Sequence, residues 1–300
     1  MKTKLLDKVF MNRILLLLIL VFFTLYTQAQ RKSDFIMWQL PSQVNTIMNS
    51  YVFQMANGKV CVFDGGTNAE TTYLRGFIGA LGNEVEAWFV SHPHSDHIEA
   101  LNEILENPNG IKIKTIYHSK LSNAFVNTYE IDSKDLTFTF YDNLVKSGIN
   151  VIDIREPGYE VRISKTIFKI LGVSNEEIIV NPYNNSSMVI KVADANKSIL
   201  FLADLGREGG DKLLASPYAR ELDCDYLQLA HHGQSGVRKE FYRQIKFSAC
   251  LWSTPSWLYD NDAGQGYNTH TWETVEIREL MKQLGIKKHY RSFEGLFVIE

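Results

Sequence analysis

Apolar residues recur along this chain in two rhythms. Short continuous runs rich in β-branched and aromatic side chains predict strands at 50–54, 60–63, 87–90, 111–117, 167–171, 188–192, 199–203, 226–229, 249–252 and 297–299. Between them the spacing turns helical. Tyr73, Leu74, Phe77, Ile78 and Leu81 share one face of a helix predicted over 70–81 and closed by Gly82. Ile277, Leu280, Met281 and Leu284 do the same over 271–284 ahead of Gly285. Ile98, Leu101, Ile104 and Leu105 mark the buried face of a further helix, with Ser95 or Asp96 as its N-cap. One more helix is expected near 136–146. The interval 107–183 otherwise has the weakest pattern and reads as a substrate-side insertion. Strands alternating with helices, without an internal repeat, low-complexity tract or Pro-rich linker, predict an α/β fold in one domain.

The first thirty residues follow a different logic. Lys2, Lys4, Lys8 and Arg13 precede an apolar stretch over 14–26, and Thr27-Gln28-Ala29 offers a small residue for cleavage before Gln30. This is the pattern of a secretory signal peptide, residues 1–29, ahead of a domain over 30–300; Met11 is an alternative start. The stretch is shorter than the roughly 20 residues of a membrane span, so no stable membrane insertion is expected after cleavage, an uncleaved anchor being the alternative. The expected location is periplasmic or extracellular. Without residues 1–30 the chain keeps 27 basic against 33 acidic residues, a formal charge of about −6. Such a surface disfavours nucleic acid as principal partner and leaves a small-molecule or cell-envelope substrate. Three cysteines, Cys61, Cys224 and Cys250, are an odd and sparse set, Cys61 and Cys250 within apolar runs, and no disulfide scaffold is expected.

The chemistry-bearing residues gather where predicted strands end. Residues 92–97 read His-Pro-His-Ser-Asp-His, just after the run over 87–90. Imidazole and carboxylate suit zinc and related divalent ions, and a strand-to-helix turn lets His92 and His94 point one way while Asp96 and His97 point another, giving two half-sites. A helix cap alone needs one such residue, not four. Asp64 opens an Asp-Gly-Gly turn after 60–63, Asp204 ends the strand over 199–203, and His231-His232-Gly233 ends that over 226–229. Six of the eight histidines lie in these motifs or at His270, leaving His118 and His289, the former read as a surface residue.

This order of motifs resembles the metallo-β-lactamase fold superfamily over nearly the whole mature chain. Within it the pattern is similar to the lactamase-like domain of bacterial competence DNA-uptake proteins, which shares Asn-Asn-x-Ser (here Asn184-Asn185-Ser186-Ser187), His-His-Gly and a late Asn-x-His (here Asn268-Thr269-His270). The resemblance implies a four-layer αβ/βα sandwich with two divalent metal ions, zinc favoured and manganese the alternative, at the rim between the sheets. It assigns His92 and His94 to the first ion, Asp96 and His97 to the second, and Asp204 as the bridge. His231 is the preferred late ligand, with His232 either a ligand in its place or a residue that orients it. Asp64 would hold an imidazole N–H of the metal-binding turn. Asp96, His232 and His270 are the catalytic candidates, His270 at the start of a helix as proton donor or phosphate contact. The histidine that lactamases and glyoxalase II place mid-chain is missing from its usual context, and Asn184 or Asn185 occupies that region, so the first site is expected to be weaker, or completed by water or substrate. The implied activity is an exported metallo-hydrolase acting on a phosphodiester. The alternatives are ester, thioester or lactam hydrolysis, and a non-catalytic metal- or ligand-binding module.

Overall fold

Alternate residues of a strand face opposite sides, so a strand covered on both faces is apolar throughout. In the computed structural model, which describes residues 33–300, the run over 198–203 behaves this way: Ile199, Phe201 and Ala203 enter one core, Leu200 and Leu202 another. The expected signal peptide, residues 1–29, lies outside the described residues. In chain order the strands are β1 (Phe35–Gln39), β2 (Ser50–Met55), β3 (Val60–Asp64), β4 (Glu84–Phe89), β5 (Lys112–Ile113), β6 (Thr115–His118), β7 (Asn150–Asp153), β8 (Glu160–Ile163) and β9 (Thr166–Gly172). They continue as β10 (Val189–Ala193), β11 (Ser198–Phe201), β12 (Tyr226–Gln228), β13 (Ala249–Trp252), β14 (Lys288–Arg291) and β15 (Phe297–Ile299). The helices are α1 (Thr71–Ala80), α2 (Ser95–Glu106), α3 (Asn123–Tyr129), α4 (Lys134–Lys146), α5 (Pro182–Asn185), α6 (Arg207–Ala215), α7 (Lys239–Gln244), α8 (Ser256–Tyr259) and α9 (Thr274–Gln283).

Two mixed sheets result. One runs β15-β1-β2-β3-β4-β6-β7, with the short β5 also pairing to β4; the other runs β14-β13-β12-β11-β10-β9-β8. Between them lies an aromatic core of Phe53, Phe63, Phe89, Phe168 and Phe201. Phe89 stacks on Phe168 at 4.8 Å, and Phe63 meets Phe201 at 4.7 Å, tying the inner faces together. The outer face of the first sheet carries α1, α2 and α4 through Leu74, Ile78, Ile98, Leu101, Phe140 and Leu144. The second carries α6, α7 and α9 through Leu213, Phe241, Ile277 and Met281. Helix, sheet, sheet, helix is the four-layer αβ/βα sandwich the motif order implied. The three cysteines are free.

Parallel pairing of β3 with β4 and of β11 with β12 aligns the C-terminal ends within each pair, and the turns carrying Asp64, residues 92–97, Asp204 and His231-His232 follow those ends. Two expectations need correction. His118 is buried, not at the surface, because β6 is covered by Phe140 and Tyr141 of α4. The last helix starts at Thr274, not 271, so His270 sits in the preceding loop and not in a first helical turn.

Candidate metal centre

Strand β4 ends at Phe89, and the chain runs through Ser91 and His92 into α2. His94, not Ser95 or Asp96, is the N-cap; its backbone is extended and its side chain makes no capping bond, which leaves the ring free to turn inward. His92 Nε2 and His94 Nδ1 come within 3.0 Å of each other. Within the first turn of α2, Asp96 and His97 form a separate pair with Nε2 of His97 3.4 Å from Asp96 Oδ2.

Asp204 stands between the pairs. Its Oδ2 lies 3.2 Å from His232 Nε2, 3.4 Å from His97 Nε2, and 3.9 Å from Nε2 of both His92 and His231. Two groups of donor atoms follow, each gathered within 4.8 Å: Asp96, His97, Asp204 and His232, and His92, His94 and Asp204. The histidine that closes the first of these is therefore His232, whose Nε2 is also 2.9 Å from Asp96 Oδ2. His231, the preferred candidate in the sequence, is outside that group.

Neighbouring polar groups fix which nitrogen of each ring faces inward. Nδ1 of His97 donates to Asp64 Oδ2 at 2.7 Å, and Nδ1 of His232 donates to the Ser253 carbonyl at 2.8 Å, so both present Nε2 to the cluster. Nδ1 of His92 lies 3.0 Å from Ser91 Oγ and 3.3 Å from Ser187 Oγ. Asp64 itself accepts from Asn49 Nδ2, Ser91 N and Ser91 Oγ at 2.7, 2.8 and 2.8 Å. Sequence patterns do not expose Asn49, Ser91 or Ser253 as partners, since each is ordinary where it stands and becomes informative only across the fold.

The turns that carry these groups are strained. Asp64, Ala203, His231 and His232 all have positive φ, at 53°, 49°, 52° and 58°, a region that costs non-glycine residues about 1–3 kcal/mol each. Buried Gln228 holds two of the turns, donating to the carbonyls of Ala203 and Leu229 and accepting from Leu202 N. His231 N donates to Ala203 O at 2.8 Å, locking the β12 turn to the β11 turn.

The donor set fits divalent cations. His97 Nε2 and Asp204 Oδ1 are buried with no hydrogen-bond partner among the described residues, an arrangement that costs free energy unless a cation completes it. Burial opposes the ionisation of Asp204 and Asp96, yet the imidazoles of His232 and His97 outweigh it and hold both carboxyls well below their usual range. Burial likewise opposes charge on His232, and Asp204 and Asp96 still lift it to about 10; the same carboxylates with Asp64 lift His97. Burial lowers His92, with His97 and His94 adding to it. The cluster is thus carboxylate-rich at its centre and favours positive charge there.

Over residues 46–287 the sequence matches the profile of the metallo-β-lactamase superfamily. The chain belongs to the metallo-β-lactamase superfamily. It is an enzyme of the metal-dependent hydrolase class this superfamily comprises, with a His/Asp cluster suited to divalent ions. Among solved structures it is similar to the metallo-β-lactamase fold protein YhfI from Bacillus subtilis, at 14% identity over 89% of this chain and 99% of that one, with a TM-score of 0.51. It is also similar to CmlA, a diiron β-hydroxylase from Streptomyces venezuelae, at 11% identity and a TM-score of 0.53, over 90% of this chain and 55% of that longer one. A diphosphatase of the PhnP family matches at 11% identity over 88% and 97% of the two chains, with a TM-score of 0.48. At these identities the likeness is one of fold. A search of curated proteins returned no significant match.

Within the superfamily site, the structure gathers His92, His94, Asp96, His97, Asp204 and His232, and sets His231 beside them. His270 is not part of either donor group. It is exposed on the loop before α9, its ring stacked on Trp272 at 3.8 Å and its backbone bonded to Asn261. Ser187, from the Asn-Asn-Ser-Ser segment, bonds both Asp204 N and His92, which gives that motif a structural purpose at the site.

Proposed function

We propose that this protein is an exported hydrolase that binds two divalent ions, zinc in preference, and cleaves a phosphodiester. The observation that carries the reading is the pair of donor groups sharing Asp204, with His97 Nε2 and Asp204 Oδ1 buried and unpartnered. His92 and His94 would hold the first ion, Asp96, His97 and His232 the second, and Asp204 would bridge them. Mixed imidazole and carboxylate donors favour zinc. Two divalent ions held together supply an acidified water and polarise the oxygen bonded to the atom under attack.

The chain's own groups do the rest. Asp64 and the Ser253 carbonyl hold His97 and His232 in one tautomer, the Ser91 and Ser187 hydroxyls bond His92 Nδ1, and Asp204 and Asp96 stay ionised to balance positive charge. His270, exposed beside Trp272 on the loop before α9, would donate a proton to a departing oxygen or contact a phosphate oxygen, a role that rests on the Asn-x-His resemblance. Phosphodiester chemistry rests on the Asn184-to-Ser187, His-His-Gly and Asn-x-His segments, similar to those of competence-type domains. Export rests on the basic and apolar leader, and intact mass of protein from its natural host should show a start at or near Gln30.

Asp204→Asn tests the centre, since it keeps shape and removes the charge shared by both groups. Bound metal should fall from two ions per chain to one or fewer and hydrolysis of bis(nitrophenyl) phosphate should be lost; two ions bound normally would reject the bridge. Wild-type protein loaded with metal should prefer the diester over a phosphomonoester, a thioester and a lactam. Preference for one of the others would reject the substrate class.

A further inference from the structure

The two donor groups are unequal. Among the described residues one has Asp96, His97, Asp204 and His232, whereas the other has His92 and His94 beside the shared Asp204. Two more side chains end near that poorer group, His231 outside the 4.8 Å within which its donor atoms gather but close to the shared Asp204. His231 Nε2 is 3.9 Å from Asp204 Oδ2, the same separation as His92 Nε2 from that oxygen. Its Nδ1 faces the Ser235 carbonyl at 3.4 Å; a carbonyl can only accept, so the proton belongs on Nδ1 and the Nε2 lone pair faces inward.

The group facing that lone pair is the Asn184 amide, with Nδ2 at 3.2 Å. Asn184 is 3% exposed, and its Oδ1 is buried with no hydrogen-bond partner among the described residues. A folded chain seldom leaves such an oxygen unsatisfied, and a half-turn of the amide exchanges Nδ2 and Oδ1 at almost no change in shape. The neighbouring Asn185 differs: its Nδ2 donates to Val180 O and Glu208 Oε2, and its Oδ1 accepts from Gly209 N at 2.8 Å. Asn185 therefore joins α5 to α6, while the Asn184 oxygen has no such task. Both contributors are also held with care. Short α5 begins after Asn181 at φ 46°, and His231 has φ 52°. Donors bound to one ion at about 2.0–2.2 Å lie about 3 Å apart, close to the spacing of His92 Nε2 from His94 Nδ1 (3.0 Å) and of His231 Nε2 from the Asn184 amide (3.2 Å).

We propose that Asn184 Oδ1 and His231 Nε2 complete the first metal site with His92, His94 and Asp204, so that the tandem histidines divide between the ions, His231 to the first and His232 to the second. This rests on the binuclear reading above. It replaces the mid-chain histidine with an amide oxygen and a residue from the His-His-Gly turn.

The test is calorimetric titration of metal-depleted full-length protein with zinc, repeated with cobalt(II) and visible spectroscopy to follow its coordination. Wild type should show two binding events. Asn184→Ala and His231→Gly, the latter free to keep positive φ, should each weaken one event by about 100-fold or more, the upper range known for lesser changes around a metal, and leave the other within threefold. His232→Ala should weaken the opposite event, and Asn184→Asp should retain both, which also guards against misfolding of the alanine variant. Two unchanged events in Asn184→Ala and His231→Gly, each verified as folded by circular dichroism, would overturn this assignment, as would a tenfold weaker first event in Asn184→Asp. Fewer than two events in wild type would instead overturn the binuclear reading itself.

Discussion

Replacing Asp64 by Asn tests how the metal-binding turn is held. The carboxylate is fully buried and receives four donors, three on Oδ2 (Asn49 Nδ2, Ser91 Oγ and His97 Nδ1) and one on Oδ1 (Ser91 N), all at 2.7–2.8 Å. An amide has one accepting oxygen. If that oxygen takes the Oδ2 position, its NH2 group meets the Ser91 N–H; in the other orientation it meets three donors. At least one buried donor is orphaned, at about 1–3 kcal/mol, and the remaining bonds lose their charge assistance, worth about 1.5–3 kcal/mol for a bond to a charged group. The sum is a loss of about 3–5 kcal/mol, similar to breaking a buried charged pair. His97 is left facing either a neutral oxygen or an NH2 group in place of the carboxylate that orients it, which should weaken its metal site by about 10–100-fold. Urea unfolding of the metal-depleted proteins reads the first quantity, and zinc titration reads the second. Asn49→Ala, which removes a single donor, should cost distinctly less. A loss below about 1 kcal/mol for Asp64→Asn together with unaltered zinc affinity would refute the proposed support of His97 by Asp64.

Two further outcomes follow from particular contacts. Gly233 has φ of 80°, and a Cβ there would run into the Trp252 ring, so Gly233→Ala should lower stability by about 2–4 kcal/mol in thermal or urea unfolding, and wild-type stability would refute the packing. Burial, with Lys120 and Arg155 adding and Asp153 opposing, lowers His118 to about 4. Below the unfolded pKa of about 6.5 the unfolded chain takes up a proton that the native state resists, so stability is intact above that pH and falls by about 3 kcal/mol as pH drops to 4. His118→Gln should flatten that part of the stability profile, and an unchanged slope would refute the burial cost.

The sequence alone determined the ends of the buried strands and the donors local to them. β3, β10, β11, β12 and β13 are covered on both faces, so they read as apolar runs, and a polar residue that breaks such a run, as Asp204 and His231 do, is conspicuous without any structure. Residues 92–97 are legible because one short turn carries four donors, and local geometry suffices to divide them in two. The edge strands β7, β8 and β14 escaped because each lies at a sheet margin or carries exposed residues, as in Lys288–Arg291, and leaves no apolar run. β1 also escaped, although its alternating burial places it beside β15. Only tertiary structure shows which donor group each of His231 and His232 faces. Their one-residue separation is the same in either case; the choice depends on the positive φ of both residues, on Ser253 and Ser235 carbonyls that orient their rings, and on Gln228 holding the turn. The same holds for Asn49 and Ser91 around Asp64 and for Asn184 against Asn185, because a hydrogen bond between residues distant in the chain is a property of how the strands pack and leaves no local pattern in the sequence.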